Sequence, residues 1–362
     1  MVGGGEYAIY KYAEALARRG HAVTVCGQFR RAFMGELASL PNLSIRIRGG
    51  IQHGFKGAGK LNQLWDVIHT HLLLLPRLKR SVKPDIIIGY QRRSSIKAEM
   101  LGRKLGVPVA HIAFEPPTEM SKVLGKTYDN VMKGELAKEW DAVCKAYQSS
   151  ACLIPLTADA GRAVAAWCGK EVHPPCYAGM EPPVNMPVMS AAESHILYIG
   201  RLDSTKNVHD LIDAVALMKQ PPPLIIVGSG YDEKELKQRA FDKHVRCEFK
   251  GVISDRDKWQ LIRSCCFLVF PTSIEGFGMP PGEALSCGKP AICSDIPVLR
   301  EVYQDAVEYF PLHDAPALAA IMQKLLDDPG YRRSRGEAGR TYVLERYTWE
   351  KCAERIEKAL GV

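Results

Sequence analysis

Residues 195–230 read "HILYIGRLDSTKNVHDLIDAVALMKQPPPLIIVGSG". The run "HILYIGRL" reads as a strand, "VHDLIDAVALMK" as a helix, and "PLIIVGSG" as a second strand. A strand, a helix and a strand in succession predict a parallel pair with the helix laid over it. The alternation continues with "YDEKELKQRAFD" as helix, "VRCEFKG" as strand, "DKWQLIRSC" as helix and "CFLVFPT" as strand. After these, "PGEALSCG" reads as a helix and "PAICSD" as a strand, with helices expected at 315–327, 334–346 and 349–360.

Upstream, the proline-rich stretch "HPPCYAGMEPPVNMP" at 173–187 stops regular structure and reads as a linker. A similar alternation precedes it. Ile9, Tyr12, Ala13 and Leu16 fall on one helical face, and Gly20 after Arg18 and Arg19 fits a helix stop. Strands are expected at "HAVTVCG", "LSIRIRG", "DIIIGY", "PVAHIAF" and "ACLIPLT", with helices at 57–80, 94–105 and 127–148. The whole therefore reads as α/β, with two doubly wound, Rossmann-like parallel-sheet domains facing across a cleft. The first domain spans 1–172 and the second 188–346, followed by a terminal helix within 347–362. Ligands in such sheets bind at the carboxyl ends of the strands.

Composition narrows the class. The chain has 362 residues, with 46% hydrophobic and 24% charged residues, as in an ordinary soluble globular protein. No apolar run approaches the roughly 20 residues of a spanning helix, and the glycine-rich start is unlike a signal peptide. The eleven cysteines are scattered without C-x-x-C pairs, which argues for reduced thiols, a cytoplasmic location, and no zinc site or disulfide frame. The net charge of +8 is uneven: residues 1–165 hold 24 Lys+Arg against 13 Asp+Glu, and residues 166–362 hold 24 against 27. A basic first half suits either simple solubility or an anionic partner, such as a phosphorylated substrate or a membrane surface.

Two stretches carry candidate chemistry. In "YIGRLDSTKN", Arg201 and Lys206 project from the loop after a strand, where two cations near a helix start suit a diphosphate. Singly, either is equally a solvated surface charge. In "PTSIEGFGMPPGEALSCGKPAICSDIPVLREV", Glu275 and Glu283 are separated by seven residues, with Gly276 and Gly278 between them. Glycines let backbone N–H groups approach a ligand, and carboxylates accept hydrogen bonds from hydroxyls, as a sugar would offer. Alone, two glutamates at this spacing mean little.

Together the stretches resemble the retaining glycosyltransferases of family 4, which have the GT-B fold. Arg201 and Lys206 match that family's arginine and lysine in "GRLDSTK", and Glu275 and Glu283 its E-x7-E motif in "EGFGMPPGE". "YTWEKCAERI" at 347–356 looks like the start of the family's final helix, which packs back on the first domain. "GGGE" at 3–6 looks like its glycine-rich loop, in which Gly4 and Gly5 would present N–H groups to the donor. The resemblance implies transfer of a hexosyl group from a UDP- or GDP-linked sugar to a glycan, lipid-linked or small-molecule acceptor. It assigns Glu275, with Gly276, Phe277, Gly278 and Met279, to the donor sugar, Glu283 to the ribose, and Val252 to the base. Arg201 and Lys206 would stabilise the departing diphosphate. No metal, separate cofactor or nucleic-acid partner is implied. A sugar-nucleotide epimerase of the same fold, or a non-catalytic nucleotide-binding partner subunit, remains an alternative.

The chain departs from the family in two places. Members have a strand before the glycine loop, and here only Met1 and Val2 precede it, so a first strand is expected to be missing. Members often carry a histidine at the end of the strand here reading "PVAHIAFEPP"; that position is Phe114, and His111 reads as structural. The D-x-D of Asp255 and Asp257 reads as a helix cap rather than a metal site. "WDVIHTHLLLLPRLKRSVK", residues 65–83, fits either a core helix with a basic end or peripheral contact with an anionic membrane. His69 and His71 are too close on a helix to share a face for metal binding.

Overall fold

The computed structural model describes residues 4–27, 40, 42–47, 84–90, 92–114, 116, 134–182 and 193–362. The first half contains α1 (Gly4–Arg18), β1 (Val23–Gly27), β2 (Leu43–Ile47), β3 (Ile87–Tyr90), α2 (Arg92–Leu105), β4 (Val109–Ala113), α3 (Glu135–Ser149), β5 (Cys152–Pro155) and α4 (Ala158–Cys168). β3, β4 and β5 form one parallel sheet and β1 and β2 a parallel pair. Among the described residues these two sheets are not hydrogen-bonded to each other. α1 bridges them: Tyr10 and Ala13 pack with Val25 of β1, while the Tyr12 ring lies 5.7 Å from that of Tyr90 in β3.

The second half contains β6 (His195–Ile199), α5 (Val208–Ala216), β7 (Leu224–Val227), α6 (Glu233–Asp242), β8 (Cys247–Gly251), α7 (Asp255–Ser264) and β9 (Cys265–Phe270). It continues through α8 (Met279–Ser286), β10 (Ala291–Ser294), α9 (Pro297–Tyr303), β11 (Glu308–Phe310), α10 (Ala315–Asp327), α11 (Pro329–Arg346) and α12 (Trp349–Leu360). One parallel sheet runs β11-β10-β9-β6-β7-β8. The chain winds outward from β6 through β7 to β8, then returns to β9 on the other side of β6. Loops leaving β6 and β9 therefore diverge, and a ligand crevice opens between them. β6, β7, β9 and β10 are buried along their lengths, as a sheet covered on both faces requires.

The expected alternation holds, with local corrections. α4 was unread because its inward stripe is small, Ala160, Gly161, Val164 and Cys168, and gives little periodic signal. β11 and α9 are short. The helix expected from 334 begins at Pro329, where Asp328 caps it by accepting from the Tyr331 N–H (2.8 Å). Gly4 and Gly5 lie in the first turn of α1 rather than in a loop before it. The first N–H groups of a helix have no acceptor within the helix, so this placement keeps them as candidate donors. The helix expected at 57–80, the stretch 65–83, residues 127–133 and residues 183–192 lie outside the described residues.

The two halves are joined by specific contacts. α12 lies against α1, where Arg19 pairs with Glu357 (2.7 Å) and the Trp349 ring sits 5.3 Å from Tyr12. Thr348 caps α12 by accepting from the Lys351 N–H, and Gly361 closes it at φ 73°. The Glu301 carboxylate of α9 accepts from the Ala158 and Asp159 N–H groups, 2.6 and 2.7 Å, and so caps α4 from the opposite half.

Candidate active site

The crevice between β6 and β9 is built by two interlaced loops. After β6 the chain bends through Arg201 and Leu202 into a short 3-10 turn, Ser204–Lys206. Asp203 caps that turn, accepting from the Thr205 N–H (3.1 Å) and hydroxyl (2.5 Å). Asn207 follows with φ 46°, and its amide donates to the Pro271 carbonyl beyond β9 (3.0 Å). The Ser273 N–H donates back to the Thr205 carbonyl (2.8 Å). These bonds hold the two strand ends in fixed register.

Lys206 is the product of that arrangement. Its ammonium donates to Thr272 Oγ1 (3.3 Å), to the Ile274 carbonyl (3.1 Å), and to the Glu275 carboxylate through Oε1. The pair is mostly buried, so its attraction is weakly screened. Arg201 stands at the mouth with its side chain 73% exposed, and is held by Asp203 at 2.8 Å. The structure thus brings Lys206 and Glu275 into contact and leaves Arg201 at the rim of the same loop.

Gly276, Phe277 and Gly278 carry the chain from Glu275 into α8. Gly278 has φ 77°, which glycine tolerates, and its carbonyl accepts from the buried Tyr303 hydroxyl. The same hydroxyl accepts from the Gly282 N–H (3.0 Å). Phe277 is buried and Met279 partly so. Pro280 and Pro281 occupy the first turn, where missing N–H groups cost no hydrogen bond.

Glu283 lies deeper. Its Oε1 accepts from Lys258 Nζ at 2.7 Å, and its Ser286-side carbonyl accepts the Ser286 hydroxyl. Among the described residues its second carboxylate oxygen accepts nothing. Burial pushes the Lys258 ammonium down, but Glu283 and Asp255 outweigh it and the net shift is upward. Burial, then the Glu283 and Asp255 charges, push the Tyr7 phenol up. Lys258 escaped the sequence reading, although a signal existed. It sits four residues before the buried Ile262, a charge on the apolar stripe of α7.

Other expected residues fall apart from this pair. Val252, just past β8, is 54% exposed. At α7 the capping residue is Ser254, whose hydroxyl accepts from the Asp257 N–H (3.1 Å) and donates to Asp257 Oδ2 (2.7 Å). Asp255 and Asp257 are first-turn residues, so the cap is one residue earlier than expected. His111 is fully buried, with Nε2 3.2 Å from Glu99 Oε1; burial lowers its pKa against the pull of Glu99. It is a structural histidine. The Phe114 ring packs edge-on against Tyr90 at 4.9 Å.

The glycosyl transferases group 1 family model matches residues 190–342. Over 177 residues the chain is 29% identical to O-antigen chain mannosyltransferase B of Escherichia coli, covering 47% of this chain and 46% of that protein. It is 30% identical over 168 residues to glycogen synthase of Mycobacterium tuberculosis, covering 44% and 40%. The chain thus spans less than half the length of these relatives. In overall structure it resembles sucrose-phosphate synthase from Thermosynechococcus elongatus, with a TM-score of 0.79 at 20% identity, over 99% of this chain and 93% of that one. HepE of Anabaena, solved with UDP and glucose, superposes with a TM-score of 0.75 at 18% identity, over 100% and 96%. Residues 190–342 are therefore similar to the glycosyl transferases group 1 family, and the chain has the GT-B fold of two Rossmann-like halves.

Proposed function

We propose that this protein is a retaining glycosyltransferase that moves a hexosyl group from a UDP- or GDP-linked sugar to an acceptor hydroxyl. The observation that carries the reading is the contact of Lys206 with Glu275 at the switch point between β6 and β9, with Arg201 at its rim. In the reaction the bond from the anomeric carbon to the diphosphate oxygen breaks and its electron pair leaves with the diphosphate. A bond to the acceptor oxygen forms, and the acceptor's proton leaves for the phosphate side. Lys206 and Arg201 meet the growing phosphate charge while the sugar becomes cation-like, a preorganised electrostatic contribution. Glu275 orders the donor's hydroxyls, and the free oxygen of Glu283 accepts from the ribose. Helix-start N–H groups at Gly4 and Gly5 add to the anion site.

Relatives named for O-antigen and glycogen synthesis support a carbohydrate acceptor, glycan or lipid-linked, in surface or storage polysaccharide synthesis. The +11 balance of residues 1–165, 24 against 13, supports a cytoplasmic protein that touches an anionic membrane peripherally. Among the described residues no helix is long and apolar enough to cross a membrane.

The test is a panel of nucleoside diphosphates followed by their sugars carrying a labelled hexose. Thermal stabilisation by one diphosphate, with label moved to an added glycan or lipid acceptor, supports the reading. Label recovered as an epimerised donor favours the epimerase alternative. Binding without turnover favours a nucleotide-binding partner subunit. No stabilisation by any diphosphate overturns the donor site itself.

A further inference from the structure

Away from the Lys206–Glu275 contact, three side chains from a helix start and a distant loop converge. His209 and Asp210 are the second and third residues of α5, and His313 lies between β11 and α10. His313 has φ 62°, in the left-handed region, and its ring lies parallel to that of His209, with centroids 6.4 Å apart and planes at 11°. The next residue, Asp314, is fixed as the cap of α10, accepting from the Ala317 N–H (2.9 Å). The Asp210 carboxylate stands between the two rings. His209 Nε2 is 3.2 Å from its Oδ1, and His313 Nδ1 is 3.0 Å from its Oδ2.

Asp210 is buried, and its ion-pair partners among the described residues are the two imidazoles alone. Two imidazole nitrogens and a carboxylate oxygen are the donor set of borderline divalent ions such as zinc. All three ligand atoms already lie within 4.8 Å of one another. With metal–ligand bonds of about 2.0–2.2 Å, tetrahedral ligand atoms stand about 3.4 Å apart, so closure needs shifts on the order of an ångström. His313, 61% exposed on its loop, has room to make them, and its open side leaves a fourth position to water.

We infer that His209, Asp210 and His313 form a binding site for one divalent ion of the zinc class. The ion takes the lone pairs of the two facing nitrogens, so a proton on either must move to the other ring nitrogen or leave before it binds. It ties His209 of α5, three residues beyond Lys206, to the loop between β11 and α10. Its role is structural, and it takes no part in the proposed transfer.

The test titrates the full chain with cobalt(II), a coloured stand-in for zinc, in a buffer without thiols. The expected result is one cobalt per chain with intense tetrahedral ligand-field bands, no thiolate charge-transfer band, and displacement by zinc. His313→Ala changes an exposed side chain and should weaken binding at least tenfold, since loss even of a residue behind a ligand costs about 10–100-fold. Asp210→Asn should do likewise, with folding checked by circular dichroism. Absence of the bands at saturating cobalt, a thiolate band from one of the cysteines, or unchanged binding in His313→Ala would each overturn the site.

Discussion

Lys258 Nζ lies 2.7 Å from Glu283 Oε1 in a nearly sealed pocket, and the Tyr7 ring of α1 covers the same ammonium at 5.1 Å. One contact thus joins the proposed ribose carboxylate to the first helix of the opposite half. Lys258→Met leaves the carboxylate buried without its partner and should cost about 3–5 kcal/mol. Adding Glu283→Gln should recover most of that loss, because the uncompensated charge is gone. Urea unfolding of both variants checks this; equal stability of the parent and Lys258→Met removes the pair from the account.

Glu275→Gln should abolish transfer and leave the fold intact. Glutamine keeps the size but removes the charge and adds donors where only acceptors are wanted. It also releases Lys206 from its partner. Single-turnover assays with labelled donor measure the effect. Turnover near the parent's would take Glu275 out of the mechanism, whereas Glu283→Ala should instead weaken nucleotide binding.

The sequence read best where chemistry and periodicity coincide. The second-half strands and the loops bearing Arg201, Lys206 and Glu275 were legible because buried parallel strands are apolar throughout and ligands gather at their carboxyl ends. Sheet order was not legible, since nothing local states that β9 returns beside β6. Lys258 was missed because a charge on a helix reads as solvated until a partner from a distant strand end is placed beside it. "GSG" at 228–230 lacks the third glycine of a dinucleotide-binding G-x-G-x-x-G. Its glycines instead admit the neighbouring loop: a Cβ on Gly228 would lie 1.8 Å from the Gly200 carbonyl oxygen, and one on Gly230 2.0 Å from that of Leu202.

That approach gives a stability prediction. Gly228 has φ 131°, and the Gly200 and Leu202 N–H groups donate to the Val227 and Ser229 carbonyls, both at 3.0 Å. Gly228→Ala adds a methyl group against fixed backbone and imposes a disfavoured φ. The loss should reach about 3 kcal/mol or more. Thermal unfolding reads it directly, and an unchanged midpoint would show that the two loops can part.

Acid sensitivity follows from His195 at the start of β6. Burial pushes this imidazole down from 6.5 to about 4. As pH falls through 6.5 the unfolded imidazole gains a proton while the folded one does not. The unfolded state then binds more protons, so stability drops between pH 6.5 and 4 and is fully present above that window. His195→Gln should flatten the slope of unfolding free energy over this range. The same slope in both proteins would mean that other groups carry the acid response.

The last prediction concerns the charge that meets the leaving diphosphate. Something positive must stand there, and a metal held by Asp255 and Asp257 is the competing source. Those residues are otherwise engaged. Asp257 exchanges hydrogen bonds with Ser254 at the start of α7, and Asp255 lies 3.8 Å from Lys258. Lys206, by contrast, is fixed by two loop contacts and a carboxylate before any ligand arrives, so it needs little reorganisation as charge develops. Losing one such contact costs on the order of 3 kcal/mol, about a hundredfold in rate. Lys206→Ala should therefore lower turnover by about that factor, with nucleotide binding less affected. EDTA should leave turnover in place, even when it strips an ion from His209, Asp210 and His313. Activity lost in EDTA and restored by magnesium or manganese, in a protein that also lacks the His313 side chain, would return Asp255 and Asp257 to the reaction.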